Sequence, residues 1–144
     1  MRGVKLMTAA VVASGLLVTP LMAQEATPKA MAEQFLTQLS QGEVDQAYDQ
    51  LFKGSPTAQS KAQEIDAVKR QTGAVLPTYG KILGHDFACE RKIGASIVIA
   101  NYVLREEKHP LIWTFFFYKP NDSWVTDSVT FNDKYLMPAC SGSS

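Results

Sequence analysis

The nonapeptide Leu111-Ile112-Trp113-Thr114-Phe115-Phe116-Phe117-Tyr118-Lys119 limits what this chain can become more than any other stretch. Successive side chains of a strand point to opposite faces. Leu111, Trp113, Phe115 and Phe117 therefore project one way, and Ile112, Phe116 and Tyr118 the other. Ser96 to Arg105 behaves alike, setting Val98, Ala100, Tyr102 and Leu104 against Ile97, Ile99 and Val103. A sheet with one wet face alternates apolar and polar residues. These strands do not alternate, so both faces of the sheet centre need cover. Helices can supply one layer. The other falls to the C-terminal segment Leu136–Cys140, a second subunit, or a ligand.

Helical signals precede the strands. Thr27-Pro28 gives a capping hydroxyl followed by a proline in the first turn, where its missing N–H is not needed. Met31, Phe35 and Leu39 recur every four residues, with Leu36 beside them, up to a stop at Gly42. Val44, Ala47, Tyr48, Leu51 and Phe52 fit the i, i+3, i+4, i+7, i+8 template of a second helix ending at Gly54. Ser55-Pro56 repeats the start signal. A third helical stretch runs to about Thr72 and is closed by Gly73 and Pro77; a split at Ser60 into two helices is left open.

From Thr78 the period changes to two. Tyr79–Leu83 reads as a first strand continuing irregularly towards Arg91, and Lys92-Ile93-Gly94 as a turn. Glu106–Pro110 joins the two strong strands, and Ser123–Phe131 is the last strand, after the turn signal Pro120-Asn121-Asp122. Short connections make an antiparallel meander the economical topology. The fold class is α+β, with N-terminal helices packed on an antiparallel sheet.

Residues 1–23 have the anatomy of a secretory signal peptide: Arg2 and Lys5, an apolar run from Leu6 to Val18, Pro20, and a small residue at Ala23. The run is shorter than the roughly 20 residues that span a bilayer, so an uncleaved anchor fits less well. Cleavage after Ala23 predicts a secreted or periplasmic product with no membrane span, a single domain over 24–135, and a C-terminal tail over 136–144 tethered through Cys140. The whole chain balances 14 basic against 14 acidic side chains; losing Arg2 and Lys5 leaves the product slightly acidic. That charge lacks the footprint of a nucleic-acid binder. In an oxidising compartment Cys89 and Cys140 have one intramolecular pairing available, two separate buried thiols being the alternative.

Three features carry a family resemblance: Gly42-x-Val44-x-x-Ala47-Tyr48, the phrase Trp113–Lys119, and Trp124-Val125-Thr126-Asp127-Ser128-Val129. Following the N-terminal helices, they resemble the nuclear transport factor 2-like superfamily of the cystatin-like class, most of all its small secreted bacterial members. The resemblance spans about residues 28–131. It implies a cone-shaped roll, a curved sheet wrapped around helices. It contains no catalytic motif, and the superfamily hosts isomerases, dehydratases, hydrolases, transport factors and inert modules, so fold alone implies no chemistry. The Gln-Val-x-Val-Gly loop of inhibitory cystatins is absent.

The residues themselves offer no catalytic set. The isomerase-like relatives use an acidic base and a tyrosine-containing oxyanion hole. The acids here are Asp86, Glu90 and Asp127 and the donors Tyr48, Tyr102 and His85, but no spacing singles out a matched pair. His85-x-x-x-Cys89 has ligand spacing without a second pair, so no metal site and no cofactor is expected. Arg105-Glu106-Glu107-Lys108 reads as solvated loop charge, and Asn121-Asp122-Ser123 is a glycosylation sequon in form and a hairpin turn in character. Tyr48, Tyr102, Trp113, Phe115, Phe117 and Trp124 are the ligand-pocket candidates, although their spacing also suits plain core. The expected function is a non-catalytic binding or interaction module. It would use a helix–sheet cavity for a small apolar ligand, or the outer sheet face for a protein partner or a second copy in a homodimer. The alternative is a small cavity enzyme of isomerase or hydrolase type acting on an apolar substrate.

Overall fold

A computed structural model describes the chain continuously from Glu25 to Ser141. The expected leader 1–23 and the last three residues lie outside the described residues. The helices are α1 (Pro28–Ser40), α2 (Val44–Leu51), α3 (Thr57–Ser60) and α4 (Ala62–Val75), and a 3-10 turn, Leu76–Tyr79, leads into the sheet. The strands are β1 (Ile82–Ile93), β2 (Ile97–Glu106), β3 (Leu111–Tyr118) and β4 (Val125–Asn132). They pair antiparallel in the order β1-β2-β3-β4. This is the α+β meander expected from the sequence.

Local chemistry explains the boundaries. Thr27 Oγ1 accepts from the Ala30 N–H at 3.2 Å, capping α1 ahead of Pro28. Gly42 and Gly54, with φ of 78° and 75°, take the left-handed conformation that turns the chain after α1 and α2. The third helical stretch is two helices, broken at Lys61. Gly73 does not end α4, which runs two residues further before Pro77 tightens the chain into the 3-10 turn. Tyr79 belongs to that turn, so β1 begins at Ile82 and continues unbroken to Ile93. Its register slips twice, leaving Leu83 and Ala88 without partners on β2. These slips erase the period-two signal on which a strand assignment depends.

The inner sheet face packs on the helices. Val98, Ala100, Tyr102 and Leu104 of β2 and Leu111, Trp113, Phe115 and Phe117 of β3 join Ala32, Phe35, Leu36 and Leu39 of α1 and Ala47, Tyr48 and Leu51 of α2 in one core. Thr126 ties β4 to the helices: its Oγ1 donates to the Leu51 carbonyl at 2.9 Å, and its own carbonyl accepts from Ser55 Oγ at 2.6 Å.

On the outer face, the C-terminal segment supplies the cover that the second apolar set requires. Cys89 of β1 is bonded to Cys140, with Cα atoms 5.6 Å apart. Asn101, fully buried mid-β2, accepts from the Ala139 N–H at 2.8 Å and donates to Thr114 Oγ1 and the Trp113 carbonyl at 2.7 and 3.3 Å. Asn132 brackets the start of the segment, accepting from the N–H groups of Lys134 and Leu136 and donating to the Leu136 carbonyl. Ile99, Ile112 and Thr114 are buried on this face. Beyond the strap, Ile93, Ile97, Tyr118 and Val125 line up as one register row across all four strands. Ile93 and Tyr118 there stand about half exposed.

Candidate functional site

The aromatic pocket candidates come together, and five of them fill the space they enclose. Phe35 meets Tyr48, Trp113 and Phe115 edge-on, with ring centroids 5.0, 5.2 and 5.6 Å apart. Tyr102 meets Phe115 at 5.8 Å, and Phe115 stacks on Phe117 at 6.0 Å. Tyr48, Tyr102, Trp113, Phe115 and Phe117 are each exposed by no more than 1%. Rings in contact at these separations are packing, with the edge-to-face geometry that aromatic quadrupoles prefer. Tyr48 donates to Thr72 Oγ1 at 2.7 Å, since that hydroxyl in turn donates to the Val68 carbonyl. Burial pushes the Tyr48 hydroxyl above its ordinary range, and the bond to Thr72 pulls the other way. Burial, helped by the carboxylates of Glu33 and Glu90, pushes Tyr102 up to about 12.

Trp124 differs. It is half-buried just ahead of β4, with Lys119 Nζ 5.7 Å from its ring centroid, and Lys119 reaches Glu25 at 3.6 Å. Its indole is one wall of a cleft of about 220 Å³ between α1 and α2. Met31, Phe35, Ala47 and Leu51 form the apolar floor, and Gln34, Gln38, Gln50 and Lys53 supply the polar groups. Gln38 Oε1 itself is closed off from the cleft and has no hydrogen-bond partner. No carboxylate lines this cleft. The sequence held a signal for it: Gln34 and Gln38 are four apart and flank Met31 and Phe35 on one side of α1.

A second cleft, about 160 Å³, lies between α2, α4 and the free edge of β4. Tyr48, Phe52, Ile65, Val68 and Val129 line it, with Lys61, Glu64 and Asp127 at the polar rim. Asp127, one of the candidate acids, occupies the register slip opposite Phe116 and Phe117, accepts from Thr57 Oγ1 at 3.3 Å and is half-buried. A wider depression, about 730 Å³, is an open charged groove between α2 and α4, where Lys69 pairs with Asp45 and Asp49 at 3.5 and 3.1 Å.

The reading of Arg105–Lys108 as solvated charge fails at Glu106. This residue closes β2 opposite Ile82, two positions beyond Leu104, so it projects with Leu104 towards the helices. Glu106 is 7% exposed, and neither carboxylate oxygen has a partner. Burial pushes its carboxyl up to about 7, with the charge of His109 acting slightly against the shift. Nearby, the Tyr79 hydroxyl donates to Asp133 Oδ2 at 3.1 Å and His109 Nε2 lies 3.1 Å from the Asp133 carbonyl. Strand alternation could have placed Glu106 inward, but only a strand end drawn one residue later would have revealed it.

The other candidates stay apart. Asp86 pairs with Arg105 at 3.1 Å on exposed surface, and Glu90 is exposed. The His85 ring lies 6.2 Å from that of Tyr102, and Cys89 is engaged in the disulfide. Among the described residues, no group of three or more His, Cys, Asp or Glu could hold a metal ion. No helix described is long and apolar enough to cross a membrane. No family model, no curated protein and no solved structure matches the chain.

Proposed function

We propose that this chain is a non-catalytic binding module, exported by its leader and folded as a nuclear transport factor 2-like roll, that holds a small ligand in the cleft beside Trp124. The observation that carries this reading is a cleft with an apolar floor, the Trp124 indole as one wall, and the side-chain amides of Gln34, Gln38 and Gln50 around it. The order of helices and strands and the phrases around Trp113 and Trp124 support the family. The residue pattern of 1–23 and the disulfide support export, because such bonds persist in oxidising compartments.

The alternative of a cavity enzyme rests on Glu106, a buried carboxyl whose pKa near 7 would suit acid–base chemistry. Glu106 lines neither the cleft beside Trp124 nor the one along β4. The binding reading therefore has the stronger support. Two-dimensional NMR of the 24–144 protein, titrated with a panel of small neutral and charged compounds, tests it. A binder should shift the Trp124 indole and the side-chain amides of Gln34, Gln38 and Gln50 together. Shifts confined to Glu106 and His109 would favour the enzyme, and a panel that moves nothing overturns the proposal.

A further inference from the structure

The turn Lys134-Tyr135-Leu136, just past β4, is held in a shape that shows its apolar side chains to solvent. Among the described residues, Tyr135 is the only non-glycine residue with a positive φ, at 58°. A bulky side chain in the left-handed region is strained and persists only where its surroundings impose it. Asn132 imposes it here. Its Oδ1 accepts from the N–H groups of Lys134 and Leu136 at 3.0 Å each, and its Nδ2 donates to the Leu136 carbonyl at 2.9 Å. His109 braces the Tyr135 ring, with centroids 5.7 Å apart, and Tyr79 backs His109 at 5.3 Å. Yet Tyr135 and Leu136 are 60% and 61% exposed, more than any other large hydrophobic residue described. The contacts fix two apolar groups outward instead of packing them.

Lysines surround them. The turn before β1 and the loop between β2 and β3 meet at this end of the sheet, where the N–H groups of Glu107 and Lys108 donate to the carbonyls of Lys81 and Tyr79 at 3.0 and 2.9 Å. Lys81, Lys108 and Lys134 are exposed there, and among the described residues none of the three forms an ion pair. The exposed carboxylates of the same loops are already engaged, Glu107 by the Lys81 N–H at 3.0 Å and Asp133 by the Tyr79 hydroxyl at 3.1 Å. Ammonium groups around protruding apolar side chains complement an anionic bilayer, which offers phosphates at its surface and hydrocarbon beneath. Tyrosine suits the boundary between them, being apolar in body and polar at its tip. Other occupants fit less well. Tyr135 and Leu136 line none of the clefts described above, so a small molecule finds no cavity at them. A stable protein interface takes about 800 Å² from each partner, and two adjacent side chains on a turn do not furnish its core.

We propose that this turn is a membrane-docking tip: Tyr135 and Leu136 enter the headgroup region of an anionic bilayer while Lys81, Lys108 and Lys134 meet its phosphates. The turn is fixed in advance, so docking orders little new chain. Trp124 stands at the opposite end of β4, whose eight residues span about 26 Å at roughly 3.3 Å each. The cleft beside Trp124 therefore stays open to solvent when the tip is docked, and the docking does not depend on what that cleft holds.

Co-sedimentation with vesicles tests this on residues 24–144, which contain every described element and lack the apolar run of 1–23 that would enter lipid by itself. Vesicles of phosphatidylcholine with about one quarter phosphatidylglycerol should bind the protein. Pure phosphatidylcholine should bind it at least tenfold less well, since each lysine at an anionic surface is worth about fivefold. Tyr135→Gly suits the left-handed backbone and Leu136→Ser leaves the Asn132 bracket in place, so both should give wild-type NMR spectra for the sheet. Each should weaken binding about tenfold, the worth of one apolar side chain moved out of water. Lys108→Glu with Lys134→Glu should erase the preference for the anionic vesicles. Equal binding to the two vesicles, or binding unchanged in Tyr135→Gly and Leu136→Ser, overturns the proposal. Absence of binding to both vesicles also overturns it and leaves the turn to a protein partner.

Discussion

Glu106 is a buried carboxyl with no partner for either oxygen. A carboxylate taken from water without a partner loses several kcal/mol and takes up a proton instead. Its folded pKa of about 7 lies above the ordinary carboxyl value of 4.5. The folded state therefore holds the proton more tightly than the unfolded chain, and stability is full below about pH 4.5. It declines as pH rises towards 7 and is flat above it. A shift of this size corresponds to about 3 kcal/mol at most. Glu106→Gln keeps the shape and removes the charge. We expect the variant to match wild type near pH 4 and to exceed it by about 2 kcal/mol at pH 8, measured by urea unfolding across that range. Parallel profiles for the two proteins would show that Glu106 is solvated. Tyr79, His109, Asp133 and Glu107 surround this end of the sheet and remain in both proteins, so the difference isolates the one carboxyl.

At the scale of elements, Asn101 shows how a strand and a tail are held together. One buried amide serves the β2–β3 pair through Trp113 and Thr114 and the C-terminal segment through Ala139. Asn101→Ala leaves the buried Ala139 N–H and the Thr114 hydroxyl without this partner. We expect a loss of about 2–4 kcal/mol, with faster amide exchange concentrated at 137–141. Asn132→Ala, in a less buried bracket, should cost less than half as much. The elements were readable where a local rule acts alone: the Thr27-Pro28 start, the Val44–Phe52 helix, and the two strands apolar on both faces. The unmet second face even indicated a cover and named Leu136–Cys140 among the choices. Local rules failed where tertiary contacts decide. Gly73 stays helical, and β1 keeps its pairing through two slips. A polar Asn101 inside an apolar strand makes sense only beside a tail 38 residues later. The candidate site was legible in part. Trp124 stood out as an aromatic, whereas Gln34, Gln38 and Gln50 look like ordinary helix surface until α1 and α2 are placed side by side.

For the whole molecule, the strap decides whether the sheet can meet a second copy. A stable interface takes about 800 Å² from each partner. The row Ile93, Ile97, Tyr118 and Val125 is one residue deep, and the face beyond it is occupied by the segment that ends at the disulfide. The oxidised protein is therefore expected to be a monomer at high micromolar concentration by light scattering. Replacing both cysteines, Cys89→Ser with Cys140→Ser, removes the tether without leaving a free thiol. Closing a loop of 51 residues is worth up to about 4 kcal/mol by chain entropy, so the variant should melt at markedly lower temperature. Asn101 and Asn132 still hold the segment, but now as a reversible contact. Each opening uncovers Ile99 and Ile112 next to the exposed row, joining two small apolar areas into one large enough to associate. Light scattering of the double variant should accordingly rise with concentration while wild type stays constant. An oxidised wild type that is already dimeric would place the contact on the Ile93–Tyr118 row itself, and Tyr118→Lys would then have to dissociate it.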